Sequence, residues 1–306
     1  MKNLVEAILK KKAEKIGRYP CLSNRASSVG YFVPMLCGCL RRGVYERTSW
    51  QEKELHDAKT QLVFDEGNLQ ERAILRDLAD AGIDIIEQQT PFEWKEHQIT
   101  GHVDGKYVED GIAFPIEVKS MSPFIFDTVY TIEDFRKKPW TRAYLAQITL
   151  YMLMQNVDKA IFILKNKSSG ELRQITVDLD YELGEACISA CEGINSHIAA
   201  STLPDRISDL VTCRECPFKM VCLPGTDFGQ ELKIKDDPEF EKKIDRYLDL
   251  KPDELECGKI WDGIKAQAKA EVGSAGVLNI MVGKYVLTGK TDAKGTLRIK
   301  IDRTDK

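Results

Sequence analysis

The sequence predicts an α/β fold, because segments typical of strands and of helices alternate through its central part. Four segments have the apolar pattern of strands: 98–108, 113–119, 159–166 and 172–179. A strongly apolar helix is predicted between the second and the third of them, over 141–157. The chain of 306 residues is long enough to bury a substantial core, and its 43% hydrophobic residues are ordinary for a globular protein.

The N-terminal part is predicted to be helical. Residues 3–16 have the pattern of a short amphipathic helix. Residues 65–82 repeat apolar side chains at helical spacing and end on Gly82, a residue that commonly terminates helices. A further helix is predicted over 181–199.

The character of the chain changes near residue 236. Two charged helices are predicted over 237–250 and 253–271, and the segments KYVLTGK and TLRIKID are predicted to pair as a hairpin. We therefore expect a first domain of residues 1–224 and an extension of helices and a hairpin over 225–306.

The net charge of −4 excludes a strongly basic, histone-like protein. A metal-dependent enzyme can still bind DNA through a local basic rim. The first 15 residues are too charged for a signal peptide, and no run of about 18 apolar residues is present. We expect a cytoplasmic protein that makes no contact with a membrane.

Three residues on neighbouring strands point to a catalytic site. Side chains alternate along a strand, so Glu117 and Lys119 project to the same side. This pattern alone is also typical of a surface ion pair. Asp104, on the preceding strand, can approach Glu117, although alone it fits a turn before Gly105. Two adjacent carboxylates repel each other unless a cation lies between them.

A divalent cation, Mg²⁺ or Mn²⁺, would give this group a function. Such an ion polarises a phosphate and lowers the pKa of an attacking water, which is the chemistry of phosphodiester hydrolysis. Lys119 would orient the water or stabilise the negative charge that develops on the phosphorus centre.

The apolar helix carries polar residues on one face. Tyr144, Gln147 and Tyr151 follow each other at positions i, i+3 and i+7. A buried glutamine needs hydrogen-bond partners, so Gln147 either bonds to the backbone of the core or faces a metal site or DNA.

The order of GHVDG, PIEVKSM and QITLYML resembles the motifs of RecB-like nucleases, members of the PD-(D/E)XK, or restriction-endonuclease-like, superfamily. The resemblance spans about residues 20–224. It implies an α/β/α core with a central mixed sheet and a metal-dependent deoxyribonuclease, which we expect to be an exonuclease. Asp104 and Glu117 match the metal ligands, Lys119 matches the catalytic lysine, and Gln147 and Tyr151 match the Q-x-x-x-Y pair.

One position departs from the RecB-like pattern. Glu71, four residues after Gly67, stands where many of these enzymes have histidine. A carboxylate also binds Mg²⁺ or Mn²⁺, so we expect Glu71 to be a metal ligand, with an exposed helical glutamate as the alternative. His102 is a secondary candidate near the site.

The segment Cys213–Cys222 has the spacing C-x₂-C-x₅-C, which is typical of a metal centre in a protein without disulfides. Three cysteines need a fourth ligand, and the bound group is either zinc or a [4Fe–4S] cluster. The three ligands of this segment are Cys213, Cys216 and Cys222. The candidates for the fourth ligand are Cys39, Cys37 and Cys21.

The segment CLRRGVY, which begins at Cys39, resembles the N-terminal cysteine segment of iron–sulfur RecB-like nucleases. These include CRISPR-associated and AddB-type enzymes. The sequence departs from them at Leu40, where proline is common. The resemblance implies a structural [4Fe–4S] cluster held by Cys39 with the three later cysteines. It also implies recombination, helicase or CRISPR proteins as partners.

Several residues near the motifs are predicted to contact DNA ends or single strands without reading sequence. They are Arg41, Arg42, Arg142 and Tyr144. Two alternatives stay open at this point. One is a non-catalytic iron–sulfur DNA-binding subunit of a repair, recombination or CRISPR complex, and the other is a zinc protein with a coincidental E-x-K.

Overall fold

A computed structural model of the protein describes residues 3–226, 233–235, 237–251 and 253–304. The chain forms two compact units, Met1–Arg206 and Ile207–Lys306. From the sequence, the first domain was expected to end at residue 224. In the structure the cysteine-rich segment Cys213–Cys222 belongs to the second unit.

The first unit contains helices at both ends and strands in its centre. Its helices are α1 (Leu4–Ala13), α2 (Ala26–Val29), α3 (Leu40–Thr48), α4 (Ala58–Asp80), α5 (Pro123–Phe126), α6 (Pro139–Gln155) and α7 (Tyr181–Ala199). Its strands are β1 (Asn24–Arg25), β2 (Ile85–Ile86), β3 (Thr90–Trp94), β4 (Ile99–Val103), β5 (Gly105–Glu109), β6 (Ile112–Met121), β7 (Lys159–Asn166) and β8 (Leu172–Asp178).

The central sheet of this unit has five strands in the order β2-β5-β6-β7-β8. β6 and β7 pair in parallel, and the other neighbours pair antiparallel, so the sheet is mixed. A parallel pair needs a crossover connection, and α6 supplies it between β6 and β7. A smaller sheet has the order β1-β4-β3. The predicted α/β fold with a central mixed sheet is therefore confirmed.

Local signals explain where the helices of this unit begin. The Asp57 side chain accepts a hydrogen bond from the Thr60 amide at 2.8 Å and caps α4, which starts seven residues earlier than the pattern over 65–82 predicts. Asp180 caps α7 in the same way, accepting from the Leu183 amide at 2.9 Å. α6 ends at Gln155, and the following residue, Asn156, caps it with a φ of +51° that turns the chain towards β7.

The core of the first unit lies around α6. Ile148, Leu150 and Met152 of this helix are fully buried, and they belong to one cluster with Phe162 and Leu164 of β7. Because α6 packs between the sheet and the other helices, its polar residues are held in a rigid setting.

The predicted strand 98–108 is two strands that belong to different sheets. β4 ends at Val103 in the smaller sheet, and β5 starts at Gly105 in the central sheet. Asp104 is the single residue between them. The predicted turn at Asp110 and Gly111 is present, with φ values of +50° and +79°, and it connects β5 to β6.

The second unit contains a four-stranded sheet with the order β12-β11-β10-β9. Its elements are α8 (Leu210–Arg214), α9 (Lys219–Cys222), β9 (Lys233–Lys235), α10 (Pro238–Leu250), α11 (Glu254–Ala270), β10 (Val277–Val282), β11 (Tyr285–Thr291) and β12 (Leu297–Arg303). The antiparallel pairing of β11 with β12 confirms the predicted hairpin. The two charged helices are also present, whereas the predicted break at Pro252 lies outside the described residues. Within the part of the chain that the structure describes, no helix is long and apolar enough to cross a bilayer.

Two glycines should respond oppositely to alanine. A methyl group at Gly30 would lie under 3.0 Å from the Cα atom of Ala143 in α6, whereas one at Gly67 in α4 would meet no atom within 4 Å. We expect Gly30→Ala to lower the free energy of unfolding by about 1–3 kcal/mol through overpacking. Gly67→Ala should raise it by about 0.5–1 kcal/mol through helix propensity. Urea unfolding of both variants beside the wild type measures this, and equal midpoints would contradict the packing described for α2 and α6.

Candidate active site

Asp104 is held against the neighbouring strand. Its side chain is 8% exposed, and its Oδ2 atom accepts a hydrogen bond from the backbone amide of Val118 in β6 at 2.9 Å. This bond places the carboxylate beside the residues on either side of Val118, which are Glu117 and Lys119. The proximity of Asp104 and Glu117 expected from the sequence is therefore present.

Gln89 joins Asp104 to Glu71. Its side-chain amide donates to Asp104 Oδ1 at 3.2 Å and to Glu71 Oε1 at 2.5 Å. Its backbone amide also donates to the Asp104 carbonyl at 3.3 Å. Gln89 has a φ of +50°, an uncommon value outside glycine that often marks functional sites. No pattern in the sequence marks Gln89, because its left-handed backbone and its position in the loop between β2 and β3 bring it to the carboxylates.

Glu117 and Lys119 form a buried ion pair. Glu117 is completely buried, the Lys119 side chain is 20% exposed, and the Lys119 ammonium donates to Glu117 Oε1. The same ammonium lies 4.8 Å from the centre of the Tyr144 ring, within range of a cation–π contact. The other carboxylate oxygen, Glu117 Oε2, is buried and has no hydrogen-bond partner.

Burial and charge shift the pKa values of this group. Burial raises the pKa of Glu117 to about 8; the Lys119 ammonium opposes that rise, while the charges of Asp104 and Glu71 add to it. Burial also raises the pKa of Glu71, and the charge of Asp104 adds to this rise. For Lys119, burial lowers the pKa, but attraction to Glu117 and Asp104 outweighs it, so the pKa of this ammonium is raised. Three carboxyl groups thus share one cationic partner.

The Q-x-x-x-Y pair forms a hydrogen-bonded chain. The Gln147 side-chain amide donates to the Tyr151 hydroxyl at 2.8 Å, and that hydroxyl donates to the His102 carbonyl at 2.7 Å. Burial raises the pKa of Tyr151, so the phenol keeps its proton. The His102 side chain is exposed, and this residue enters the network through its backbone. These two hydrogen bonds anchor α6 to β4 at His102, two residues before Asp104.

Gly105, directly after Asp104, allows a close approach of two strands. A methyl group at this position would lie under 3.0 Å from Cγ2 of Ile85, its neighbour on β2. A larger residue at 105 would push the start of β5 away and move Asp104 with it. The close packing of β5 against β2 therefore explains the glycine at the end of GHVDG.

A polar cleft of about 590 Å³ is lined by Gln147 and Tyr151 and by residues at the end of β4. Its side chains that can donate hydrogen bonds come from β1 and the residue before it, from α2, from β4 and from α6. They include Ser23, Arg25, Ser27, Thr100, His102 and Gln147. The cleft and the carboxylates belong to the same unit and share the end of β4.

The residues predicted to contact DNA differ in accessibility. Arg41 is 7% exposed, and its guanidinium donates to the Tyr45 hydroxyl at 3.2 Å and to the Pro204 carbonyl at 2.9 Å. These bonds hold Arg41 inside the fold, whereas the predicted DNA contact expects an accessible guanidinium. Arg42 lies 4.3 Å from the Tyr31 ring and 3.8 Å from the Glu46 carboxylate. Arg142 is half-buried and donates to the Arg136 carbonyl at 2.5 Å.

The three cysteines of the segment Cys213–Cys222 lie on and between two short helices. Cys213 is in α8, Cys216 follows in the connecting turn, and Cys222 ends α9. Cys213 and Cys222 both pack against the cluster of Leu223, Met281 and Val286 in the same unit. In the first unit, Cys39 precedes α3 as its cap residue, Cys37 is exposed, and Cys21 lines the polar cleft.

The carboxylates fit a divalent cation. Over the described ranges of the chain, no three His, Cys, Asp or Glu side chains converge as a complete metal cage. Mg²⁺, however, usually binds through one or two carboxylates and completes its shell with water and substrate phosphate. Asp104 and Glu117 are such a pair, and the unpartnered Glu117 Oε2 is a buried acceptor that a cation would satisfy.

Comparison with known proteins gives distant similarities only. No family model and no curated sequence matches the chain. Among solved structures, SSO0001 has a TM-score of 0.46 and 15% identity, covering 73% of this chain and 98% of its own. The alkaline exonuclease LHK-Exo from Laribacter hongkongensis, in complex with dAMP, has a TM-score of 0.40 and 14% identity, covering 64% and 93%. A phage-related exonuclease from Haemophilus somnus 129PT has a TM-score of 0.38 and 14% identity, covering 60% and 97%. Similarity at these levels assigns neither a family nor an activity to this chain.

Proposed function

We propose that this protein is a metal-dependent deoxyribonuclease that removes nucleotides from DNA ends without sequence preference. The observation that carries the proposal is the buried carboxylate of Glu117. One of its oxygens is bonded to Lys119, the other has no partner, and Asp104 is held beside it by the amide of the next residue, Val118. Burying an ionisable group this completely costs free energy, and such groups are typical of functional sites.

Asp104 and Glu117 would hold Mg²⁺ or Mn²⁺, with Glu71 as a further carboxylate reached through Gln89. When bound, such an ion polarises the phosphodiester and supplies a water of lowered pKa. The residues themselves set the geometry: the Val118 amide and the Gln89 side chain each hold one Asp104 oxygen. The carboxylate therefore needs no reorganisation when substrate arrives.

Lys119 acts as a fixed positive charge. Its pKa is raised by Glu117 and Asp104, so it holds its proton and does not act as a base. Contacts with Glu117 and with the Tyr144 ring restrict its ammonium to one position. From there it stabilises the negative charge that develops on the phosphate oxygens during hydrolysis.

The polar cleft beside the site suits a single DNA strand. Its hydroxyl, amide and guanidinium groups, such as Ser27, Gln147 and Arg25, are donors of the kind that contact phosphate oxygens. Base-reading would need amide or guanidinium groups arranged against base edges in a duplex groove. The cleft instead mixes a few hydroxyl, amide and guanidinium groups from separate elements, which supports binding that is independent of sequence.

The proposal is tested by digesting DNA of different forms with Mg²⁺ or Mn²⁺. We expect linear single strands labelled at either end to lose mononucleotides or short oligonucleotides, and covalently closed circles to resist cleavage. EDTA should stop the reaction. Cleavage of closed circles would show an endonuclease, and binding of every substrate without cleavage would favour the non-catalytic DNA-binding subunit.

We also propose that Cys39, Cys213, Cys216 and Cys222 bind a [4Fe–4S] cluster with a structural role. The spacing of the last three supports this, and Cys39 comes from the resemblance of its segment to iron–sulfur RecB-like nucleases. Hydrolysis requires no electron transfer, so the cluster would stabilise the fold. Anaerobic purification should give a brown protein with about four iron atoms per chain. Cys216→Ala should lose the colour and most of the iron, whereas Cys257→Ala should keep both. A colourless protein with one zinc ion per chain would contradict the proposal.

A further inference from the structure

We infer that the outward face of the β11–β12 hairpin binds the phosphate backbone of nucleic acid. This basic face consists of Lys290, Arg298 and Lys300, with Lys294 in the turn between the strands. It would be a second DNA contact, outside the candidate active site. The inference rests on the proposed function in one respect, because it takes DNA as the substrate.

The strand register puts the three basic side chains on one side of the sheet. Leu287, Ile299 and Ile301 point inward and pack with α10 and α11. The residues that alternate with these along β11 and β12, among them Lys290, Arg298 and Lys300, point outward. In the antiparallel pairing, Lys290 lies directly opposite Arg298, and Thr288 lies opposite Lys300.

The pair of Lys290 and Arg298 is unfavourable by itself. Like charges directly opposite each other in neighbouring strands destabilise a sheet. Both side chains are exposed, and no carboxylate of the described residues lies within ion-pair distance of either. An anion that bridges the two would convert the repulsion into attraction, so this pair is a feature that a phosphate explains.

The acidic residues of the hairpin do not neutralise this face. Asp292 accepts hydrogen bonds from the backbone amides of Lys294 and Thr296, both at 2.9 Å, and so its carboxylate holds the turn. Asp302 pairs with Lys300 at 2.9 Å, yet the Lys300 side chain stays 72% exposed. Lys290 and Arg298 retain their charge towards solvent.

The charge of the hairpin contrasts with that of the chain. Between residues 284 and 304 there are six basic and two acidic residues, whereas the whole chain has a net charge of −4. Local positive charge on an acidic protein favours association with a polyanion. The outward side chains of the hairpin include no aromatic ring, asparagine or glutamine, so they offer a base no aromatic ring for stacking and no amide for pairing with adenine. We therefore infer that phosphates supply the main contacts.

The inference is tested by the salt dependence of DNA binding. The variant Lys290→Ala/Arg298→Ala/Lys300→Ala is compared with the wild-type full chain, using a fluorescent single-stranded oligonucleotide in EDTA. Loss of three phosphate contacts should weaken binding about tenfold at about 0.1 M salt and reduce the slope of log K against log salt by about 2. The matched control Lys243→Ala/Lys259→Ala/Lys269→Ala removes three exposed charges from α10 and α11 and should bind like wild type.

Folding is checked by thermal unfolding, where the triple hairpin variant should melt at the wild-type temperature or above it, because a like-charge pair has been removed. Unchanged affinity and slope in this variant would overturn the inference, as would equal losses in the control. A loss of binding to phosphatidylglycerol vesicles with unchanged DNA binding would overturn it in favour of a membrane contact. If the wild type binds DNA but cleaves none, the proposed nuclease function is wrong. The comparison of DNA affinity between the wild type and the hairpin variant still tests the basic face in that case.

Discussion

Replacing Lys119 with alanine is expected to lower kcat for DNA cleavage by about 10²–10³, the usual effect of removing one preorganised charge-stabilising group. Lys119 is the cationic partner of Glu117 and Asp104, and its ammonium is fixed by the ion pair and the Tyr144 ring. Affinity for DNA should change much less than kcat, because one buried ammonium contributes little to phosphate binding overall. Single-turnover cleavage at saturating enzyme, together with oligonucleotide binding, separates the two effects.

Lys159→Ala is the matched control for this substitution. Lys159 lies on β7, the strand next to β6, but its side chain is 53% exposed and pairs with Asp178 on the surface. Its loss should leave kcat unchanged, since an exposed ion pair contributes little. A Lys119→Ala protein that cleaves at the wild-type rate would contradict the role given to Lys119.

Metal binding is expected to strengthen with pH until about pH 8 and then to level off. Burial, opposed by Lys119 and aided by Asp104, raises the pKa of Glu117 from the ordinary 4.5 to about 8, so in the metal-free protein a proton competes with a divalent cation for this carboxylate up to about pH 8. A divalent cation must displace that proton, and affinity should rise by up to about tenfold per pH unit below the pKa. Calorimetry with Mn²⁺ in buffers of different ionisation enthalpy measures the released proton.

The same pKa shift predicts how the stability of the metal-free protein depends on pH. A raised folded pKa gives a stabilising contribution that is complete below the unfolded value of 4.5 and is lost as pH rises through about 8. Glu117→Gln carries no titrating group, so its unfolding temperature should lack this dependence and should not rise with Mn²⁺. Metal affinity that is constant between about pH 6 and 8 would contradict the account of Glu117.

The parts of the site that the sequence predicts are those fixed by local periodicity. Glu117 and Lys119 lie two residues apart on a strand, and Gln147 and Tyr151 lie four apart on a helix, so each pair shares a face wherever the element packs. Asp104 and Glu71 required the resemblance as well, because their approach depends on how separate elements meet.

The features that the sequence did not predict depend on tertiary contacts. Gln89 reaches the carboxylates through a left-handed backbone at a loop position, and no periodicity marks it. Arg41 has the charge of a DNA contact, but the carbonyl of Pro204, distant in sequence, binds it inside the fold. The segment 98–108 has the sequence pattern of one continuous strand. Its division at Asp104 into strands of two sheets depends on packing against other elements.

The role of Asp104 and Glu117 in metal-dependent cleavage is tested by digesting an end-labelled single strand with the wild type and with Asp104→Asn, each in Mn²⁺ and in EDTA. The substituted asparagine would keep a side-chain oxygen that accepts from the Val118 amide but would lose the negative charge needed beside Glu117. We expect labelled products only from the wild type with Mn²⁺. Equal cleavage by Asp104→Asn, or cleavage by the wild type in EDTA, would show that the carboxylate pair is not the site of a metal-dependent nuclease.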